Sequence, residues 1–241
     1  MSVTSGSLLD IQTSRGIRGA RSRFFLWAAL VVGSIVVTGF TKSYFDRLAL
    51  GETTLAPLVR IHAGVMAGWF VLFIAQAALI AGGRPDLHRR VGIAGVALAV
   101  ALLSTSMMVT WHAAAVEVAR NKEVFFRMIL GFNGLSLVVF AAAFGAAIAL
   151  RRRPQFHKRF MLLASLCLLG PAFGRLIQNP YAVIGAVNAT ILVCVVMDTV
   201  RNGRLHPVLG WGGLSIVALY FWAVWAVQTP TWIRLATALV S

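Results

Sequence analysis

Seven apolar runs of about 20 residues each, separated by short polar segments, constrain this chain more than any other feature. An α-helix rises about 1.5 Å per residue, so each run is about 30 Å long and matches the apolar core of a bilayer. With 59% hydrophobic and only 12% charged residues, the chain cannot be arranged around one water-soluble core. The sequence therefore predicts an all-α integral membrane bundle of seven transmembrane helices. The predicted spans are 24–40, 58–81, 91–112, 128–150, 160–177, 181–200 and 209–227.

Polar segments divide the chain into three parts. Residues 1–23 are rich in Ser, Gly and Arg, which is typical of a flexible basic tail held at an anionic membrane surface. Residues 24–228 form the predicted transmembrane domain, and residues 229–241 form a short tail at the outer face. Between the third and fourth spans, residues 113–127 mix charged and apolar side chains, which predicts a separate interfacial helix.

The distribution of basic residues predicts the orientation. If the N-terminus is inside, 14 of the 22 Lys and Arg residues lie in cytoplasmic segments, so the positive-inside rule favours N-in, C-out in the inner cell membrane. The net charge of +15 is then explained by topology and by anionic lipids as partners, not by nucleic acid. The cytoplasmic bases are Arg15, Arg18, Arg21, Arg23, Arg84, Arg89, Arg90, Arg151, Arg152, Arg153, Lys158, Arg159, Arg201 and Arg204.

A histidine-bearing hinge recurs before the third, fifth and seventh helices. Its copies are Arg84-Pro85-Asp86-Leu87-His88, Arg153-Pro154-Gln155-Phe156-His157 and the shorter Leu205-His206. Imidazoles are common ligands of transition metals and of haem iron. If the three helix starts meet, the histidines form a metal or cofactor site, with His88, His157 and His206 as metal ligands. If they do not meet, the hinge is an anchor for topology and lipid.

A second polar layer is expected near the outer face. The second and third helices are antiparallel neighbours joined by a short turn, which places His62 and His112 at similar depth. Arg175, one turn after Pro171, either extends to the lipid headgroups or lines a cavity that the proline opens. Asp198 is predicted to be a surface charge partner. Other candidate pocket residues are Gln76, Asn133 and Asn188, and a GxxxG pattern at Gly64 and Gly68 predicts close helix packing.

Several of these residues together resemble a family of uncharacterised bacterial multi-pass membrane proteins. The resemblance covers roughly residues 58–177 and implies a bacterial inner membrane protein without assigning a reaction. Paired histidines at helix ends are also similar to b-type cytochromes of the cytochrome b561 kind, which implies haem b as a cofactor. The elements that carry the first resemblance are His62, Trp69 and Gln76 in one helix, Asp86-Leu87-His88-Arg89-Arg90-Val91-Gly92, Arg152-Arg153-Pro154-Gln155-Phe156-His157-Lys158-Arg159-Phe160-Met161-Leu162-Leu163-Ala164, Pro171-Ala172 and Arg175.

Three functions remain open at this point. The first is a redox, haem- or metal-handling protein, with His62, His112 and Arg175 at an outer cofactor site and the hinge histidines at an inner one. The second is an accessory or structural subunit that docks a membrane protein partner. The third is a small-molecule or lipid transporter. The sequence contains no Gly-rich phosphate loop, HExxH, CxxC or Gly-x-Ser-x-Gly motif, so hydrolytic and nucleotide-driven chemistry is disfavoured.

Overall fold

The computed structural model describes residues 5–51, 56–120 and 123–240. This part of the chain folds into eight helices without a strand, and seven of them are long and apolar enough to cross a membrane. The predicted all-α membrane bundle is therefore confirmed. The helices are α1 (Ser5–Ala49), α2 (Pro57–Ala81), α3 (Pro85–Ala119), α4 (Glu123–Met128, a π-helical turn Ile129–Asn133, and Gly134–Ala149), α5 (Pro154–Cys167 and Gly170–Leu176), α6 (Pro180–Asn202), α7 (a π-helical turn Val208–Gly212, and Gly213–Ala226) and α8 (Pro230–Val240).

Proline and glycine set the boundaries between the helices. Proline occupies the first turn of α2, α3, α5 and α6, where its missing N–H costs no hydrogen bond. Two connections turn at glycines with positive φ, Gly83 (71°) and Gly203 (69°), a conformation that side chains with a Cβ rarely adopt. The short hinges predicted from the sequence are therefore tight turns that return the chain directly into the membrane.

The central helix of the bundle is α5. It packs against α1, α4, α6 and α7, and all eight residues from Leu162 to Leu169 are buried. The helix is interrupted between Cys167 and Gly170, directly before Pro171, which has no N–H to continue the hydrogen-bond ladder. This break separates α5 into two segments in the middle of the core.

The loop region after α3 differs from the prediction. The described residues of 113–127 form no separate interfacial helix, because α3 continues for 35 residues to Ala119 and α4 begins at Glu123. Residues 96–119 contain no Gly or Pro that would end α3. The extended end of α3 is covered by α8, whose Ala236 is fully buried against Ala114 and Phe126. The Trp232 indole N–H donates to the Arg127 carbonyl at 3.3 Å. At the other terminus α1 begins at Ser5, inside the segment for which a flexible tail is predicted; residues 1–4 lie outside the described residues.

Ring contacts show which helix ends lie together. His88 at the start of α3 contacts His157 at the start of α5, and Phe156 of α5 contacts His206, which lies just before α7. These three places therefore lie together at one end of the bundle, which we call the basic end. Phe24 and Phe25 of α1 and Arg201 of α6 lie at the same end. The other end, which we call the opposite end, holds His62, Thr105, Phe40 and Arg175. The three hinge histidines therefore share one end of the bundle, the question that the sequence left open.

Candidate histidine site and basic cleft

His88 and His157 form a close pair at the basic end. Their ring centres are 6.1 Å apart and the ring planes are nearly perpendicular, at 85°. The two residues stand one turn into α3 and α5, so the helix starts hold both rings at similar depth. The pair thus joins two of the three hinge copies that the sequence singled out.

The orientation of His157 is fixed by a backbone contact. Its Nδ1 lies 2.9 Å from the carbonyl oxygen of Ala147, at the end of α4. A carbonyl only accepts, so Nδ1 carries the proton and donates, and Nε2 keeps its lone pair. Histidines that bind metals are commonly held this way, with one nitrogen donating to a carbonyl and the other left to coordinate.

His88 is packed against α2. Its ring lies beside the backbone of Gln76, and its Nδ1 and the Gln76 Oε1 are both buried without a hydrogen-bond partner. Gly92, one turn after His88, also faces the Gln76 amide, since a Cβ there would lie in ordinary van der Waals contact with its Nε2, at 3.5 Å. Gln76, predicted as a pocket residue, is thus placed next to the histidine pair. Unpartnered buried polar atoms are costly and often mark places where a ligand or water binds.

His206 belongs to a different environment. Its ring packs on Phe156 with 5.4 Å between ring centres, and its Nδ1 accepts a hydrogen bond from the Val208 N–H at 3.2 Å, which caps the start of α7. Partial burial, and secondarily the charge of Arg159, lowers the pKa of His206 below its usual 6.5. Within the described ranges no group of three or more His, Cys, Asp or Glu is arranged to hold a metal ion. The structure brings together two histidines of the predicted three-histidine metal site.

A cleft of about 790 Å³ opens beside His206 at the basic end. It lies between α1 at Phe24 and Phe25, the start of α5, the end of α6 and the turn into α7. We call it the basic cleft because four of its side chains are Lys or Arg. Its lining residues are Phe24, Phe25, Gln155, Phe156, Lys158, Arg159, Asp198, Arg201, Asn202, Arg204, Leu205, His206 and Pro207.

A buried ion pair forms the floor of the basic cleft. Arg159 donates from Nε and Nη2 to the two carboxylate oxygens of Asp198, both at 2.8 Å, and the side chains are only 1% and 4% exposed. Arg159 also donates to Gln155, and Asn202 donates to Asp198. The prediction that Asp198 lies at the surface is therefore wrong: the last turns of α6 are covered by α5, which hydropathy alone does not reveal.

The predicted outer histidine site is not assembled. His62 Nδ1 lies 3.3 Å from Thr105 Oγ1, whereas His112 stands two helical turns further along α3, about 10 Å away along the axis, and is exposed. The two histidines are not at similar depth, because α2 and α3 run antiparallel from a turn near Gly83. Residues at equal distances along the chain from that turn face each other, and His112 is further from it than His62. Thr105, not His112, is the partner of His62.

Arg175 lies in the last turn of α5, at the opposite end of the bundle. Its Nη1 donates to the carbonyl of Pro171 at 2.8 Å, and its guanidinium lies 4.1 Å from the ring centre of Phe40 on α1, a cation–π contact. Its charge also reaches His62. Arg175 therefore links the proline break of α5, which the sequence predicted, to α1, a contact that was not predicted.

The middle of the bundle contains further polar groups. Asn188 is 3% exposed and both polar atoms of its amide lack a hydrogen-bond partner, while Asn133 ends the π-helical turn of α4 and is partly buried. Ser136 of α4 and Tyr220 of α7 share a hydrogen bond of 2.8 Å that was not predicted. No sequence signal identified this pair, because a lone Ser and a lone Tyr in apolar helices have many possible partners.

Comparison of this chain with protein-family models, with curated protein sequences and with solved structures finds no match.

Proposed function

We propose that this multi-pass membrane protein binds haem b, which His88 and His157 would hold through one imidazole nitrogen each. The observation that carries the proposal is the spacing of the two rings. A coordinating imidazole nitrogen lies about 2 Å from its metal and about 1 Å from its own ring centre, so two imidazoles that share one metal would have ring centres up to about 6 Å apart. The observed 6.1 Å agrees with this value.

The number of ligands favours haem over a bare metal ion. A protein site for zinc commonly supplies three or four side-chain ligands, and the described residues offer no group of three. Haem brings four nitrogens of its own, so two histidines complete six-coordinate iron. A pair of imidazoles is thus sufficient for haem and insufficient for most other metal sites.

Neighbouring residues also suit a haem. The Nδ1 of His157 is occupied by the Ala147 carbonyl, which leaves Nε2 for the iron. Arg89 and Arg90 directly follow His88 at the polar end of α3 and supply cations near the membrane surface for the two carboxylates that a haem carries. A haem held by His88 and His157 would supply one-electron transfer, so we propose an electron-carrying role in the membrane.

The test is an optical and electron paramagnetic resonance spectrum of the protein purified in detergent after expression with a haem precursor. We expect one haem per chain with a low-spin, six-coordinate signal. His88→Ala and His157→Ala should each abolish that signal, whereas His112→Ala, which changes an exposed histidine outside the pair, should leave it unchanged.

Two results would overturn the proposal. One is a protein that elutes as a folded species in size-exclusion chromatography without haem, and shows no low-spin haem spectrum, after titration with an equimolar amount of haem. The other is a haem signal that persists in the His88→Ala/His157→Ala double variant.

A further inference from the structure

We infer that the break in α5 binds ordered water in the middle of the bundle, and that Asn188 of α6 supplies the side chain that holds it. The site lies away from the histidine pair and from the basic cleft, and the inference does not rest on haem binding. It accounts for buried polar groups on two neighbouring helices that have no partner of their own.

The backbone of the break is the first argument. In a continuous helix the Cys167 carbonyl would accept from the N–H of residue 171, but that residue is proline and has none. The N–H groups of Leu168 and Leu169 make tighter i→i+3 bonds, at 3.3 and 3.2 Å, and no backbone N–H of the described chain donates to the Leu168 carbonyl. Cys167 is 1% and Leu168 5% exposed, so two adjacent carbonyls in the core lack a backbone donor.

The amide of Asn188 is the second argument. Its side chain is 3% exposed, yet neither Oδ1 nor Nδ2 has a hydrogen-bond partner among the described residues. Thr190 on the same helix shows the usual alternative, since its hydroxyl donates to the Ala186 carbonyl at 2.8 Å. Burying an amide without partners is unfavourable. The two atoms together favour a ligand that both donates and accepts.

The Arg159–Asp198 pair fixes how α5 and α6 face each other. Asn188 lies ten residues before Asp198, and Leu169 lies ten residues after Arg159, so each is about 15 Å along its own helix from the ion pair. The two helices run antiparallel from the turn before Pro180, and α6 contacts both segments of α5. Asn188 therefore lies at the depth of the unbonded carbonyls.

Water fits this site better than a cation does. The only carboxylate of α5 and α6 is that of Asp198, which is bonded to Arg159 and Asn202. A cation without a counter-charge is strongly disfavoured in apolar surroundings. Water is neutral, and in protein interiors it typically makes about three hydrogen bonds to otherwise unpaired groups. One water that donates to the two carbonyls and accepts from Asn188 Nδ2 reaches that number.

The break also has room for water. A Cβ on Gly170 would meet no described atom within 4 Å beyond its own stretch of chain. Water inserted into an interrupted helix is a known cause of helix kinks. Ordered water also satisfies the backbone groups that proline frees in transmembrane helices. The glycine and the proline that follow one another here thus supply both the space and the unbonded carbonyl.

The test follows water at Asn188 by water-edited solid-state nuclear magnetic resonance of the protein in lipid bilayers, with 15N-labelled asparagine and leucine. The reference is the backbone N–H of Leu166, which is fully buried in the first segment of α5. We expect magnetisation to pass from water to the Asn188 side-chain amide several times faster than to Leu166. The Asn188→Leu variant identifies the amide signal, which it removes.

Two variants and a matched control test the parts of the site. Pro171→Ala restores an N–H for the Cys167 carbonyl, so transfer of magnetisation from water to Asn188 should slow. Asn188→Leu should lower the melting temperature, because it removes the amide that holds water at the carbonyls. Thr190→Val removes a hydroxyl that is bonded within its own helix, and it should leave both readouts unchanged.

Three results would overturn the inference. Equal transfer rates at Asn188 and Leu166, or a higher melting temperature for Asn188→Leu, would show that the amide is buried dry. A rise in melting temperature in sodium chloride over choline chloride that Asn188→Leu abolishes would assign the site to a cation. None of these measurements involves haem, so their outcome is independent of the test of His88 and His157.

Discussion

Arg159 of α5 and Asp198 of α6 face each other through two parallel hydrogen bonds of 2.8 Å, and neither side chain is more than 4% exposed. The bidentate geometry and the added donors from Asn202 offset the cost of burying both charges. The pair joins the central helix to its neighbour at the basic end.

Asp198→Asn should strongly destabilise the protein, because it leaves the Arg159 charge buried without its partner. The expected loss is about 3–5 kcal/mol in free energy of unfolding, measured by denaturant titration in detergent micelles. Asp46→Asn is the matched control, since the Lys42–Asp46 pair is more than half exposed and is worth about 0–1 kcal/mol. Similar losses in both variants would contradict a structural role for the buried pair.

Tyr220→Phe should cost about 0.5–1.5 kcal/mol, because it removes the hydrogen bond to Ser136 in the interior of the bundle. Ser136→Ala should cost a similar amount. The double variant tests the contact itself: its loss should be smaller than the sum of the single losses when the three are measured by thermal unfolding. Strict additivity would show that the two hydroxyl groups do not interact.

Gly39→Ala should loosen the contact between α1 and α5. A Cβ on Gly39 would lie 2.5 Å from the Ala172 carbonyl oxygen, a backbone atom that cannot rotate away, so the two helices must separate at a cost of about 1–3 kcal/mol. Gly64→Ala is the control, because no described atom beyond its own stretch of helix lies within 4 Å of its Cβ position. That change should be neutral or stabilise α2 by up to about 1 kcal/mol. The measurement is the melting temperature of each variant, and equal values for Gly39→Ala and Gly64→Ala would contradict the close contact at Gly39.

Stability should fall with acidification in a way that depends on His206. The pKa of this residue is lowered in the folded protein by burial and by Arg159, so the unfolded chain binds the proton more readily. Folding stability from neutral His206 is therefore complete above pH 6.5 and decreases as the pH falls from 6.5 through the lower native pKa. His206→Asn keeps an acceptor for the Val208 N–H and should make the melting temperature depend less on pH in this interval. An unchanged dependence on pH would show that other groups cause it.

The spans were predictable because hydropathy sums over about 20 residues, so single exceptions do not matter. Side-chain contacts between helices were harder to predict, since they depend on which neighbouring helix each residue faces. Two of them could have been found by counting: His62 and Thr105 stand at nearly equal distances from Gly83, so an antiparallel turn places them opposite each other, and the same reasoning brings Gln76 near His88. Asp198 and Arg159 have no such relationship in sequence. Their pairing follows from the packing of α5 in the centre, which only the folded bundle defines.

The first turn of α5 reaches two neighbouring helices at the basic end. His157 donates to Ala147 of α4 and contacts the His88 ring, whereas Arg159, two residues later, is bound to Asp198 of α6. A displacement of α6 would therefore pull on the same helix turn that holds His157. The buried ion pair thus makes the spacing of the two histidine rings sensitive to the position of a helix that contacts neither of them.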